Sequence, residues 1–410
     1  MRSRGPAARS GAPGSFPSHS GSDAPGSRRP ALSTEAEFRH EVREFLESLP
    51  SLLVDADDPL ERARIYLRAR FDAGLGALDY PTGHGGRDLP REFVSAYRQE
   101  ASGRVPGEAG FGIGISMCLP TIRDHGSHEL RERFLRPGLR GDEIWCQLYS
   151  EPGAGSDLAG LATRAVRDGD EWIVNGQKVW TSGAVDADMG ILLARTDPTV
   201  PKHRGISMLV LPMDQPGVEV RPLRQMTGVS HFNEVFMEDA RIPAGWVVAS
   251  EGDGWRLAVA LLAYERSSLG AGGGRQPIST DRLIDLARER AVNTDPVLRQ
   301  DLARLHSQAS IVGWLNQRSG IHPSVTKLWR SRQGRLASGI AGRLAFPGGA
   351  AWDDGAEGGS WAYGILDSPA HSLGGGTDEI QRSTLGERVL GLPREPAVDR
   401  DIPFSDVRRN

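Results

Sequence analysis

The chain has 410 residues, a formal net charge of −4, 38% hydrophobic and 25% charged residues, the profile of a soluble globular enzyme of two or three domains. The near-neutral charge gives no polyanion footprint, so nucleic-acid binding is excluded as a main task, and no apolar run approaches the ~18 residues that a membrane span needs. The two cysteines, Cys118 and Cys146, cannot build a disulfide framework or a cysteine-rich zinc site, which fits a reducing cytoplasm. Of 49 basic residues only Lys178, Lys202 and Lys327 are lysine; this reads as the arginine bias of a GC-rich genome rather than phosphate recognition.

Residues 1–31 are dominated by Gly, Ser and Pro with five arginines and one acid, Asp23. Such a segment cannot bury enough apolar area to offset its ordering entropy, and is expected to be a disordered tail. Thr34-Glu-Ala-Glu37 is a capping-box pattern, followed by Phe38, Val42, Phe45, Leu46 and Leu49 on one helical face. The spacing predicts a helix ended by Pro50, then helices over 59–73, 91–101, 111–124 and 127–135. Residues 32–141 are therefore expected to form an N-terminal α-helical domain.

Near Ile144 the period shifts toward two. Strands are predicted over 162–166, 171–174 and 177–181, with Asp168-Gly-Asp170 and Asn175-Gly176 as turns. Segments 191–194, 207–211, 218–220 and 234–237 continue the series, so residues 142–245 are expected to form an antiparallel β-barrel. Helical periodicity returns over 255–267, 280–292, 297–316, 324–344 and 377–389, giving a C-terminal helical bundle over 246–395 and a tail over 396–410. The order helical, β, helical makes an α+β protein and disfavours an alternating dinucleotide-binding fold. Gly110-Phe-Gly-Ile-Gly114 lies in a helical region and reads as helix packing. His125 and His128 lack a third metal ligand, so no metal is expected.

The most informative stretch runs from Cys146 to Gly160. It reads as a strand entering a Gly-rich turn with free backbone N–H groups and the hydroxyls of Ser150 and Ser156, suited to a planar ring or phosphate but equally compatible with an ordinary loop. Trp180-Thr-Ser182 adds an aromatic wall and another hydroxyl.

Tyr149-Ser-Glu-Pro-Gly-Ala-Gly-Ser-Asp157 closely resembles a signature of the acyl-CoA dehydrogenase family. So do Asn175-Gly-Gln-Lys-Val-Trp-Thr-Ser182, Glu234-Val-Phe-Met-Glu-Asp-Ala-Arg-Ile-Pro243, and Gly375-Gly-Thr-Asp-Glu-Ile-Gln-Arg382 with Glu387-Arg-Val-Leu-Gly-Leu-Pro393. The resemblance spans about residues 34–395 in the family's order. It implies helical, β-barrel and four-helix-bundle domains and noncovalent FAD. Tyr149, Ser150, Trp180 and Ser182 would contact the flavin ring, and Gly155 and Ser156 would lie by the pyrophosphate and the CoA portion of the substrate. Thr377 and Glu379 would touch the flavin phosphates, across a subunit boundary.

The family's reaction couples α-proton removal from an acyl thioester to β-hydride transfer to flavin. It requires a buried carboxylate base and polarisation of the thioester carbonyl. The commonest base position is occupied here by Gly375, whose backbone N–H would polarise the carbonyl. In an isovaleryl- and long-chain-like subgroup the base lies on the helix opening the C-terminal domain, which makes Glu265 the candidate, with Arg266 shaping its charge environment. An Arg-x-x-Phe-Gly motif for the flavin pyrophosphate is missing, residues 270–280 are Gly-rich, and Gly374 replaces a usual aromatic. These departures resemble divergent actinobacterial members, some of them heterotetramers.

The resulting expectation is an FAD-dependent dehydrogenase of fatty-acid type, acting on an acyl-CoA or acyl-carrier-protein thioester. Its electron acceptor would be an electron-transfer flavoprotein, and its assembly a homo-oligomeric dimer or tetramer, or a heterotetramer. The alternatives are a flavin oxidase or monooxygenase of the same fold, and a non-catalytic partner subunit.

Overall fold

The computed structural model describes residues 34–270, 278–318, 320–347 and 361–407. The tail expected over residues 1–31 lies outside them. Helix α1 (Glu35–Leu52) opens on the Thr34–Glu37 capping box and buries Phe38, Val42, Leu46 and Leu49. Pro50 does not end it: the proline sits in the last turn, and the chain leaves the helix at Leu53 because a missing N–H there removes only one bond of the ladder. Helices α2 (Pro59–Asp72) and α3 (Arg91–Ala101) follow. The helix expected over 111–124 is divided into a π turn, Gly114–Cys118, and α4 (Leu119–His125). A Cβ on Gly114 would lie 3.2 Å from that of Trp145, so the glycine serves close packing. Helix α5 (His128–Arg140) continues past 135 to Gly141 at φ +79°.

Seven strands follow: β1 (Trp145–Leu148), β2 (Arg164–Asp168), β3 (Glu171–Ser182), β4 (Met189–Arg195), β5 (Ile206–Pro212), β6 (Val218–Leu223) and β7 (Phe232–Pro243). Two expectations are corrected here. The sheet is mixed, because β1 runs parallel to β4, and β2 meets the end of β4 in parallel at Arg164 and Arg195. It is also a curled half-barrel instead of a closed barrel, with β5 at one margin and β6 at the other among the described pairings. Strand periodicity reports which face is buried but carries no information on a partner's direction or on closure.

Asn175-Gly176 is likewise not a turn. It is an irregularity inside the continuous β3, where the register with β7 shifts between Val174 and Gly176. Asn175 exchanges two hydrogen bonds with Asp239 of β7 at 2.9 and 3.0 Å. A Cβ on Gly176 would lie 2.7 Å from Thr163 Cα, so glycine is needed for the approach of β2's leading segment.

Alternation in β4 and β5 separates two cores. Ile191, Leu193, Ile206, Met208 and Val210 face the helices, whereas Leu192, Ala194, Leu209 and Leu211 face the interior of the curl with Trp172, Val174 and Val235. Helix α6 (Gly254–Gly270) buries Leu257, Ala258 and Leu261 in the first core. The remaining helices are α7 (Thr280–Glu289), α8 (Pro296–Gln317), α9 (Pro323–Leu344), α10 (Trp361–Asp367), α11 (Ala370–Leu373) and α12 (Asp378–Thr384), and α7, α8, α10, α11 and α12 all pack on α9. The whole is α+β: N-terminal helices, a curled sheet and C-terminal helices.

Phe134 of α5 joins the helical and β layers. Its ring meets Trp145 at 5.3 Å and Trp246 at 4.8 Å, both edge to face. Phe134→Ala is expected to destabilise the protein by about 3–5 kcal/mol through the cavity it leaves, measured by urea unfolding.

Candidate active site

The Gly-rich segment after β1 is held at its ends and by the buried Ala154, and is open at Gly153, Gly155 and Ser156. Gly153 and Gly155 have no neighbour within 4 Å of an added Cβ, and Ser156 is exposed. At its start, Glu151 and Ala154 exchange backbone hydrogen bonds of 3.1 and 3.0 Å. The Glu151 carboxylate accepts from the backbone N–H groups of Ala162 (2.6 Å) and Thr163 (2.9 Å) and from Lys178 Nζ (2.8 Å). Lys178 is fully buried and also donates to the Tyr149 carbonyl at 3.0 Å. Burial opposes both charges. It pushes the Lys178 ammonium down to about 8, while on Glu151 it is outweighed by Lys178 and the other hydrogen bonds, so that carboxyl titrates below its ordinary range.

The same lysine sits beside a β-bulge. Between Lys178 and Thr181, β3 carries one more residue than β7, which turns the Val179 N–H away from the ladder to donate to the Ser150 carbonyl at 2.9 Å. Trp180 then adopts φ +60° and stands 61% exposed, edge-on to Phe232 at 5.9 Å. A left-handed tryptophan with its face in solvent is a strained arrangement of the kind that clusters at binding sites. The structure thus brings Tyr149 and Ser150 against the strand bearing Trp180 and Ser182, with Gly155 and Ser156 on the exposed loop that follows them in the chain.

Thr377 and Glu379 belong to a second grouping, on α9, α11 and α12. The Thr377 hydroxyl caps α12 by accepting from the Ile380 N–H at 3.2 Å, and Glu379 is exposed, paired with Arg382 at 3.1 Å. Gly375 and Gly376 lie at φ +66° and +82°, and Gln381 Nε2 donates to the Gly375 carbonyl at 2.7 Å. A glutamate at 375 would have to adopt the left-handed region, at about 1–2 kcal/mol, so this loop is built for glycine. Beneath it the buried Asp378 accepts from Lys327 and Arg335, each at 2.8 Å. Burial disfavours that charge, but the two cations win and hold the carboxyl down at about 2.

Glu265 and Arg266 lie on α6 in the turn after the buried Leu261; their side chains are outside the described set. The preceding Tyr264 ties α6 to α4 by donating to Asp124, which also pairs with Arg123 at 2.6 Å.

The acyl-CoA dehydrogenase N-terminal domain matches residues 33–142, and the middle domain matches residues 146–240. The acyl-CoA dehydrogenase IpdE1 of Mycobacterium tuberculosis is 40% identical over 82% of this chain and 90% of its own length. The chain belongs to the acyl-CoA dehydrogenase family. The steroid acyl-CoA dehydrogenase Tcur3481-Tcur3483 superposes with a TM-score of 0.71 at 28% identity, covering 89% of this chain and 100% of that one. The ChsE4-ChsE5 complex of M. tuberculosis gives a TM-score of 0.69 at 29% identity, again over 89% and 100%. Members of the family generally bind FAD. The residues present fit a planar aromatic group: an exposed indole, and a loop whose Gly153 and Gly155 have no neighbour within 4 Å of an added Cβ.

Glu151, Lys178, Asp378, Lys327 and Gln381 were not singled out by sequence reasoning, although all but Lys327 lie inside the quoted motifs. The available signal was the lysines. All three are ion-paired, to Glu151, to Asp157 and Asp399, and to Asp378, and each therefore touches an acid of a signature segment.

Lys178→Met strands the buried Glu151 charge and is expected to cost about 3–5 kcal/mol, part of which returns in the Lys178→Met/Glu151→Gln double variant; chemical denaturation of the three variants checks this. A second expectation concerns acid. With its folded pKa below the ordinary 3.8, Asp378 contributes about 2 kcal/mol that is complete above pH ~4 and lost as pH falls toward 2. Asp378→Asn should flatten the fall in Tm across that window.

Proposed function

We propose that the chain oxidises an acyl thioester to its trans-2-enoyl form, with FAD as cofactor. The observation that carries this reading is the exposed, left-handed Trp180 beside the pinned, glycine-open loop, in a member of this family. When bound, FAD supplies the hydride acceptor. Tyr149, Ser150, Trp180 and Ser182 would hold its ring, and Thr377 and Glu379 would reach the flavin phosphates across a subunit boundary. Gly155 and Ser156 line the approach of the thioester's CoA portion. Glu265 takes the α proton with Arg266 setting its charge environment, and the Gly375 backbone N–H polarises the thioester carbonyl. General-base removal of a weakly acidic α proton requires the carboxylate to be shielded from water, which a helix packed into the core can provide.

The steroid relative supports a bulky, ring-bearing acyl group as the substrate class. A second reading concerns assembly. One solved relative is a complex of two different chains, and Gly375 stands at the commoner base position, so pairing with a second, related subunit is the alternative to a homo-oligomer. Native mass together with FAD per chain separates the two.

The purified protein is expected to show a flavin spectrum that is bleached anaerobically by a suitable member of a panel of straight, branched and steroid-type acyl-CoAs. No bleaching by any of them overturns the reading. In Glu265→Gln, FAD binding is expected to survive while the rate of flavin reduction falls by about 10²–10⁴-fold; a wild-type rate would place the base elsewhere.

A further inference from the structure

The last described residues are no idle tail. After α12 and a π turn over Leu385–Val389 the chain returns to the sheet, where Phe404 is buried at 3% exposure. Its backbone N–H donates to the Val200 carbonyl at 3.0 Å, and Ser405 N–H donates to the Pro198 carbonyl at 2.9 Å. The Phe404 ring lies 3.7 Å below the guanidinium carbon of Arg195. Arg195, itself buried, donates to the carbonyls of Ala159 (2.7 Å), Leu161 (3.1 Å) and Lys202. Lys202 Nζ in turn bridges Asp399 of the returning segment (2.6 Å) and Asp157 (2.9 and 3.1 Å).

Asp157 and Ala159 are the far end of the Gly-rich loop. The near end is fixed by Glu151, Lys178 and the buried Ala154, and beyond it Gly155 and Ser156 are exposed. The position of Gly155 and Ser156 is therefore set by two pins, and the second is completed by residues from the opposite end of the sequence. We propose that the C-terminal segment, through Asp399 and Phe404, is a positioning element for the 152–157 loop and so for binding of the thioester's CoA portion. This rests on the substrate reading above. Asp399 holds Lys202 against Asp157, and Phe404 fills the space under Arg195 that keeps the guanidinium aimed at the carbonyls of 159 and 161. Both residues act through Lys202 and Arg195 on the loop, so the effect is expected on binding and not on the chemical step.

The test uses the full-length holoprotein with Asp399→Asn, Phe404→Ala and the conservative Phe404→Tyr. Amide hydrogen exchange is read at 152–161, and KM and kcat are read with an acyl-CoA that bleaches the flavin. Asp399→Asn and Phe404→Ala are expected to speed exchange in 152–161 while the amides of β4 and α5 stay protected. KM is expected to rise about 3- to 10-fold with kcat within twofold, consistent with loss of a partly exposed ion pair or a packed ring. Phe404→Tyr should restore both. Unchanged exchange at 152–161 overturns the proposal, as does faster exchange spread over the whole sheet, which marks general destabilisation. If no acyl-CoA bleaches the parent, the substrate reading fails, and the exchange result still decides whether the segment positions the loop.

Discussion

A lysine ammonium and a glutamate carboxylate, both taken out of water at the base of a glycine-rich loop, set the geometry on which the candidate site depends. Removing either charge from solvent is unfavourable by several kcal/mol, and only close pairing with full hydrogen bonding offsets it. Lys178 and Glu151 meet that condition: the carboxylate takes two backbone N–H groups besides the ammonium, and the ammonium takes the Tyr149 carbonyl. The loop cannot slide along β3 without breaking this arrangement. Directly beside it the bulge spends the Val179 N–H on Ser150 and turns Trp180 outward. One buried pair thus fixes the register of two signature segments.

The same device recurs under the other glycine loop. Asp378 lies buried beneath Gly374–Gly376 with Lys327 and Arg335, and Gln381 takes the Gly375 carbonyl. Glycines at φ +66° and +82° give the chain a path that side chains would strain, and they leave it without side-chain packing. Charged partners below the loop supply the rigidity that the glycines cannot. Where a single ammonium must reach a carbonyl and a carboxylate at once, a compact point charge serves better than a planar fork. Lys178 and Lys327 each meet that condition, whereas Lys202 bridges two carboxylates, those of Asp157 and Asp399.

These loops need a rigid frame, and the sheet provides it by burying both faces. Alternate residues of β4 and β5 enter two different cores, one against α5 and α6 and one inside the curl. Helix α6, which carries Glu265, is bound to that frame through Leu257 and Leu261 and to α4 through Tyr264 and Asp124. Helix α6, which carries the candidate base, and the Gly-rich loop, through Ala154 and Ala159, are thereby referred to the same apolar core.

Local pattern determined much of this protein. The capping box and apolar stripe of α1, the helix–strand–helix order and the segments carrying Tyr149–Asp157, Trp180–Ser182 and Gly375–Glu379 are all legible because each is written within a few consecutive residues. Fold class follows from such periodicities, since they arise from the backbone repeat itself. Pairing between distant segments leaves no such trace. That β1 runs parallel to β4, that the sheet stays open, that Asn175-Gly176 is a bulge and not a turn, and that Phe404 lies under Arg195 were decided by contacts between residues tens to hundreds of positions apart. The buried ion pairs belong to the same class. A lysine in a sequence reads as a solvated charge, and only the tertiary structure, by removing water from around Lys178 and setting Glu151 beside it, made it a structural pin.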